Sequence, residues 1–218
     1  MQITVQNLEK DMPDLDVLAE SATYRANMYE FLSRIYLSEI NDEFLQAIKH
    51  PDAAVAFEEM GIEFLNSLEA DKGSDQIEIL AEAYCSTFVL PVNKSLHPYE
   101  SIQRQGCYQG KTSFKVEDFY NKCSYKLPEE CPEFVDHIGL ELDFISKLSK
   151  NESELWKANK CSEAESMLEK EIEFLQNHLF VWVPDYAKNM IQYASHPFYQ
   201  AVGLLTKTFM QFEKEQLC

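Results

Sequence analysis

The chain has 218 residues, 45% hydrophobic, 12% aromatic and 26% charged, which excludes disorder and fits one domain with a real core, or at most two small ones. Thirty-seven acids against 19 Lys and Arg give a net charge of −18, which disfavours nucleic acid and anionic membrane as partners and favours a cationic one. Taken alone, however, the acidity is better explained by solubility than by any partner.

Only six Gly and eight Pro are present, too few for the many turns of an all-β fold. No apolar run approaches the roughly 20 residues of a membrane span, so no membrane insertion is expected. The cysteines (Cys85, Cys107, Cys123, Cys131, Cys161, Cys218) include no CxxC pair, and the opening MQITVQNLEKDMPDLD is unlike a targeting peptide. A cytoplasmic protein with reduced thiols is expected, some of them small core residues.

In chain order, residues 1–13 read as a flexible start and 14–218 as one all-helical domain. Tyr24, Met28, Phe31/Leu32 and Ile35 mark one face of a first helix. NDEFLQAIKHP reads as a short helix capped by Asn41, and DAAVAFEEMGIEFLNSLEA as another, stopped by the turn DKGS. Asp75 and Glu78 form a capping box, with Ile77, Leu80/Ala81, Tyr84 and Phe88 inside. Residues 90–113 read as a long loop with a job, 114–122 as a short helix, and 120–132 as a hinge for exchanging helices between chains.

Helices resume after Pro132. From FVDHIGLELDF, residues 134–144, onward, the stripe Phe134, Ile138, Leu142, Ile145 is flanked by His137, Glu141, Phe144 and Leu148, with Asp136, Leu140 and Asp143 opposite. Apolar residues on both sides predict a central helix between core and cleft, and Gly139 predicts a close approach. Ser162 and Glu165 form a second capping box before Leu168, Ile172, Leu175 and Leu179; Ser195 caps a last helix lined by Phe198, Val202, Leu205, Phe209 and Phe212. The expected fold is all-α, a single-domain bundle of seven to nine helices.

Catalytic signatures fail. GCYQGKTS has three residues rather than four between its glycines and no preceding strand, so it is no phosphate loop. None of the five histidines follows a Glu by three, and HExxH, GxSxG and zinc-finger spacings are absent. No catalytic or metal residues are expected. For His137 alone, a histidine bonded to a nearby carbonyl is the better reading, and Asp136 can simply complement a helix dipole.

HPYES at 97–101 followed by DHIGLELDF at 136–144 resembles the TorD/DmsD/NarJ family of cytoplasmic redox-enzyme maturation chaperones. There a Pro-Pro-(Tyr/Trp)-x-Ser segment precedes an Asp-His-Ile-Gly-x-Glu-Leu-x-Phe helix. AEAYCSTFVLP and the stretch from FLQNHLFVW to GLLTKTF resemble flanking family segments, in the right order over roughly residues 75–212. His97 departs from the pattern, replacing the first proline.

The resemblance implies a TorD-like helical chaperone, not an enzyme. It would bind the leader peptide, in many members a twin-arginine signal, and the immature catalytic subunit of a molybdopterin-dependent oxidoreductase until cofactor insertion. The matching residues are Tyr84, Phe88, Pro98, Tyr99, Glu100, Ser101, Asp136, His137 and Glu141. The expectation is that Asp136 and Glu141 rim an apolar cleft and face the basic leader. No stably bound cofactor is expected; transient contact with molybdopterin or a nucleotide, and monomer against homodimer, stay open. Alternatives are a NarJ-type factor for a non-exported client, an acidic adaptor for an unrelated basic protein, and a small helical metal-dependent hydrolase.

Overall fold

The computed structural model describes residues 14–68, 75–91, 93–127 and 132–217. The expected start at 1–13, the DKGS turn at 71–74 and residues 128–131 of the expected hinge lie outside them. Among the described residues there are eleven α-helices and no strand, so the all-α expectation holds. They are α1 (Leu15–Leu37), α2 (Asp42–Lys49), α3 (Pro51–Glu59), α4 (Phe64–Ser67), α5 (Gln76–Tyr84), α6 (Glu100–Gln105), α7 (Lys111–Lys122), α8 (Ile138–Lys157), α9 (Cys161–Asn177), α10 (Leu179–Tyr193) and α11 (Pro197–Leu217). A π turn (Cys85–Val89) follows α5, and a 3-10 turn (Lys94–Leu96) precedes α6. The count exceeds seven to nine because short helices occupy stretches that read as loop or as parts of longer helices. No described helix is long and apolar enough to cross a membrane.

The centre is α8, whose Ile138, Leu140, Leu142, Phe144 and Ile145 are all buried. It runs along α1, the most extensive helix pairing in the fold. Small residues allow that approach: Ala19, Ala22 and Ala26 on α1 are buried with Ser146, Ser149 and Ser153 on α8. Hydroxyls fasten the seam, Ser33 Oγ donating to Gly139 O at 2.8 Å, Ser146 Oγ to Ala26 O at 2.9 Å and Ser153 Oγ to Ala19 O at 2.9 Å. Each such bond contributes about 0.5–1.5 kcal/mol net. The close approach expected at Gly139 is present: a Cβ there would lie 2.5 Å from Leu37 Cγ. A second tight crossing joins α10 and α11 at Gly203, where a Cβ would meet Ala187 O at 3.0 Å.

Several local expectations are corrected. The helix over 52–70 breaks because Gly61, at φ +75°, ends α3, with Ile62 N donating to Phe57 O at 2.8 Å in the manner of a glycine C-cap. Ser162 is not the cap: α9 begins at Cys161, and the N-cap position, Lys160, makes no side-chain capping bond. Ser195 is not the cap of α11 either, since Phe198 N donates to His196 Nδ1 while Ser195 Oγ pairs with Ser86 Oγ. The first and last stripes are misjudged at their ends, because Tyr24 and Phe212 are 46% and 45% exposed. Finally, α8 starts at Ile138 rather than just after Pro132.

Candidate functional site

The two motif segments meet. Residues Tyr99 and His137 form an isolated antiparallel bridge. Ile138 N donates to Pro98 O at 2.8 Å and Glu100 N to Asp136 O at 3.0 Å. This backbone pairing keeps 134–137 out of helical conformation, so Asp136 and His137 precede α8. Each then serves a helix start. Asp136 Oδ2 accepts from Ser101 N at 2.8 Å, capping α6 from a remote segment. His137 Nδ1 accepts from Gly139 N at 3.1 Å as the N-cap of α8. Burial drives the His137 pKa down to about 3, so its ring is neutral, with Nδ1 as acceptor and the proton on Nε2.

Glu100, Ser101, Asp136 and Glu141 are fully buried, and His137 nearly so. The rim role expected for Asp136 and Glu141 is therefore corrected: both face inward. Glu100 pairs with Arg104, and its other oxygen lies 2.8 Å from His178 Nδ1. Glu141 Oε2 accepts from Trp182 Nε1 at 3.2 Å. Burial, and then the Glu100 and Asp136 carboxylates, hold the Glu141 carboxyl well above the ordinary range. Among the described residues, Asp136 Oδ1, Glu141 Oε1 and the Ser101 hydroxyl lack hydrogen-bond partners. A buried polar knot of this kind fixes two chain segments in one arrangement.

Tyr84 and Phe88 sit in an aromatic group with Tyr36 and Tyr199. The Phe88 ring lies 5.2 Å from Tyr84, 5.3 Å from Tyr199 and 5.5 Å from Tyr36, and Tyr84 OH donates to Tyr36 O at 3.0 Å. Both are buried. The π turn that follows sends Val89 and Leu90 outward, 58% and 72% exposed.

Of the expected site residues, Tyr99 alone reaches partway to the surface; Pro98 is buried. Tyr99, Tyr108 and Phe134 form a triangle of rings with centroids 5.3, 5.6 and 5.8 Å apart. Tyr108 is 47% and Phe134 37% exposed, so Phe134 does not belong to the core stripe expected for it. Tyr99 OH bonds the Glu133 carboxylate. Beside the triangle opens a depression of about 350 Å³ lined by Ser113, Phe114, Glu117, Glu133 and Phe134, with Phe114 62% exposed. An apolar cleft with carboxylates thus exists next to the motif, but Glu117 and Glu133 supply the charge. Sequence reasoning missed Tyr108, Phe114, Glu117 and Glu133. An aromatic residue isolated among polar neighbours, as at Tyr108 in QGCYQG and Phe114 in KTSFK, was the available signal.

Among the described residues no group of three His, Cys, Asp or Glu is placed to hold a metal ion. The family model described as nitrate reductase delta subunit matches residues 50–188. The chaperone protein TorD of Vibrio cholerae O395 is 25% identical, over 94% of this chain and 96% of its own length. That of Shewanella sp. MR-4 is 23% identical, over 88% and 93%. A crystal structure provisionally assigned to redox-enzyme maturation, from Archaeoglobus fulgidus, is 20% identical, covers 86% of this chain and 93% of its own, and has a TM-score of 0.46, too low to carry argument. The matched segment takes in the whole buried knot up to Trp182, and the chain belongs to the TorD/NarJ family of redox-enzyme maturation chaperones, not to a family of enzymes.

Proposed function

We propose that this chaperone acts in the cytoplasm on the immature catalytic subunit of a molybdopterin-dependent oxidoreductase, and that the Tyr108–Phe114–Phe134 face grips its leader peptide. One observation carries this reading: an open aromatic depression with two carboxylates is built directly on the knot formed by the family motifs. A twin-arginine leader joins basic residues to an apolar segment, and the depression offers Glu117 and Glu133 to the first and the Phe114 and Phe134 rings to the second. Exposed ion pairs contribute about 0–1 kcal/mol each, so the carboxylates set orientation more than affinity. Apolar burial contributes about 1.5–3 kcal/mol per large side chain, against association costs of roughly 4–15 kcal/mol. Micromolar, releasable binding follows, as a factor that must let its client go requires.

The test is calorimetric titration of the chaperone with a twin-arginine leader peptide and with the same peptide carrying two glutamines. A loss of about tenfold or more for the glutamine peptide, shared by Glu117→Gln/Glu133→Gln, supports the reading. The nitrate reductase delta subunit likeness favours a second one, an assembly factor for a client that stays in the cytoplasm. Equal binding of both peptides would select it.

A further inference from the structure

A second cavity, of about 580 Å³, opens between α1, α8, α9 and α11 and shares no lining residue with the Tyr99 face. Val17, Tyr24, Leu168, Phe212 and Leu217 make its walls. Val17, Tyr24 and Phe212 are 58%, 46% and 45% exposed, a cluster of large apolar residues left at one mouth. Isolated exposed hydrophobics need no explanation, but a group of them around a concavity marks a binding surface.

The floor is electrostatically unbalanced. Arg25 is its one buried cation, with Nη2 bonded to Glu152 and 3.6 Å from Glu171 Oε2, and Nε 3.8 Å from Glu213 Oε2. Three buried carboxyls thus surround one guanidinium. Trp156 Nε1 donates to Glu152 Oε1 at 2.8 Å, Ser149 Oγ to Glu171 Oε2 at 2.6 Å and Tyr29 OH to Glu213 Oε2 at 2.8 Å. Among the described residues Glu213 Oε1 has no hydrogen-bond partner, although the Glu213 side chain is only 1% exposed and lines the cavity. Buried carboxylates are ordinarily paired. This one has an unused acceptor at the bottom of an apolar opening.

We infer that this cavity is a second polypeptide site, taking an apolar segment of the client that inserts one Arg or Lys side chain toward Glu213. An Arg or Lys side chain carries an apolar stem and a cationic head, which matches apolar walls over a floor rich in carboxyls. The inference rests on the reading that the protein binds client polypeptide, but on different residues from the leader face. The groups facing Glu213 are Tyr24, Arg25 and Tyr29 from α1 and Glu152 from α8, and Glu20 of α1 lines the same cavity. Burial lifts the Glu213 carboxyl to about 7, so a bound cation favours its ionised form and binding tightens as pH rises from 6 to 8.

The test uses the full chain and a labelled decapeptide with one arginine flanked by leucines, beside the same peptide with citrulline. The arginine peptide is expected to bind at least about fivefold tighter, a gap that closes in Glu213→Gln and at pH 6. Phe212→Ser, at the exposed mouth, should weaken both peptides about tenfold while leaving the fold intact. Equal binding of the two peptides, or wild-type affinity in Phe212→Ser, overturns the inference. So does a tenfold gain on deleting residues 1–13, which would make the chain's own start the occupant, or a dimer that Phe212→Ser dissolves. Failure of the leader experiment with these results intact would discard the leader face and keep this site.

Discussion

The backbone amide of Ser101 donates to the carboxylate of Asp136 at 2.8 Å, with both residues buried and 35 positions apart in the chain. That bond ties the proline–tyrosine segment to the start of the central helix and assigns Asp136 a structural task. Asp136→Ala leaves the Ser101 amide unpaired and is expected to lower unfolding free energy by about 1–3 kcal/mol. Asp136→Asn keeps an acceptor and should lose clearly less. Urea unfolding of the two variants checks the difference; an alanine variant as stable as wild type would refute the structural role.

His137 makes stability depend on acid. Its folded-state pKa, about 3, lies below the ordinary 6.5 because burial disfavours the imidazolium. Below pH 6.5 the unfolded chain takes up a proton that the folded chain refuses, so the histidine's contribution is complete above 6.5 and is lost as pH falls toward 3. Thermal melts between pH 7 and pH 4 should show a steeper decline for wild type than for His137→Asn, whose side-chain oxygen can still cap α8.

Glu213 works in the opposite direction. Its carboxyl rises from 4.5 to about 7 in the folded state, so the folded chain binds the extra proton between those values. Its contribution is greatest near pH 4.5 and declines as pH rises toward 7. The Tm of Glu213→Gln relative to wild type should therefore increase between pH 5 and pH 8. A difference that stays flat would mean the carboxyl titrates normally.

Two helical glycines separate backbone obstacles from side-chain ones. At Gly203 a Cβ would meet Met190 Cβ at 2.8 Å and main-chain atoms of Ala187 and Ile191 at 3.0 and 3.1 Å. At Gly139 the nearest obstacle is the Leu37 side chain, which can turn aside. Overpacking costs about 1–3 kcal/mol, against about 1 kcal/mol gained when Ala replaces Gly in a helix. Gly203→Ala is expected to destabilise, and by more than Gly139→Ala. Chemical denaturation of both variants gives the order.

Much of the fold was legible in the sequence because the long helices carry repeated apolar residues: Ile138, Leu142 and Ile145 in α8, and Phe198, Val202, Leu205 and Phe209 in α11, are all buried. What escaped was non-local. Helix α6 has no side-chain cap of its own at Tyr99; its start is held by Asp136, so nothing in the local sequence announces it. Ser162 and Glu165 have capping-box spacing, yet α9 opens two residues earlier than that box requires. Acidity was readable but its direction was not. Asp136 and Glu133 lie three positions apart, and only the pairing of 98–100 with 136–138 turns the first inward while the second bonds Tyr99 at the surface. The Arg25 cluster draws one residue from each of α1, α8, α9 and α11, a combination that no motif search along the chain assembles.

The central claim is that the buried motif supports the site while the aromatic face beside it does the binding. Titration of a twin-arginine leader peptide into wild type and Phe134→Ser, with a thermal melt of each, tests this most directly. The expected result is an affinity about tenfold weaker for Phe134→Ser at an unchanged Tm, since a partly exposed ring contributes more to a partner than to the core. Wild-type affinity in Phe134→Ser would contradict the account.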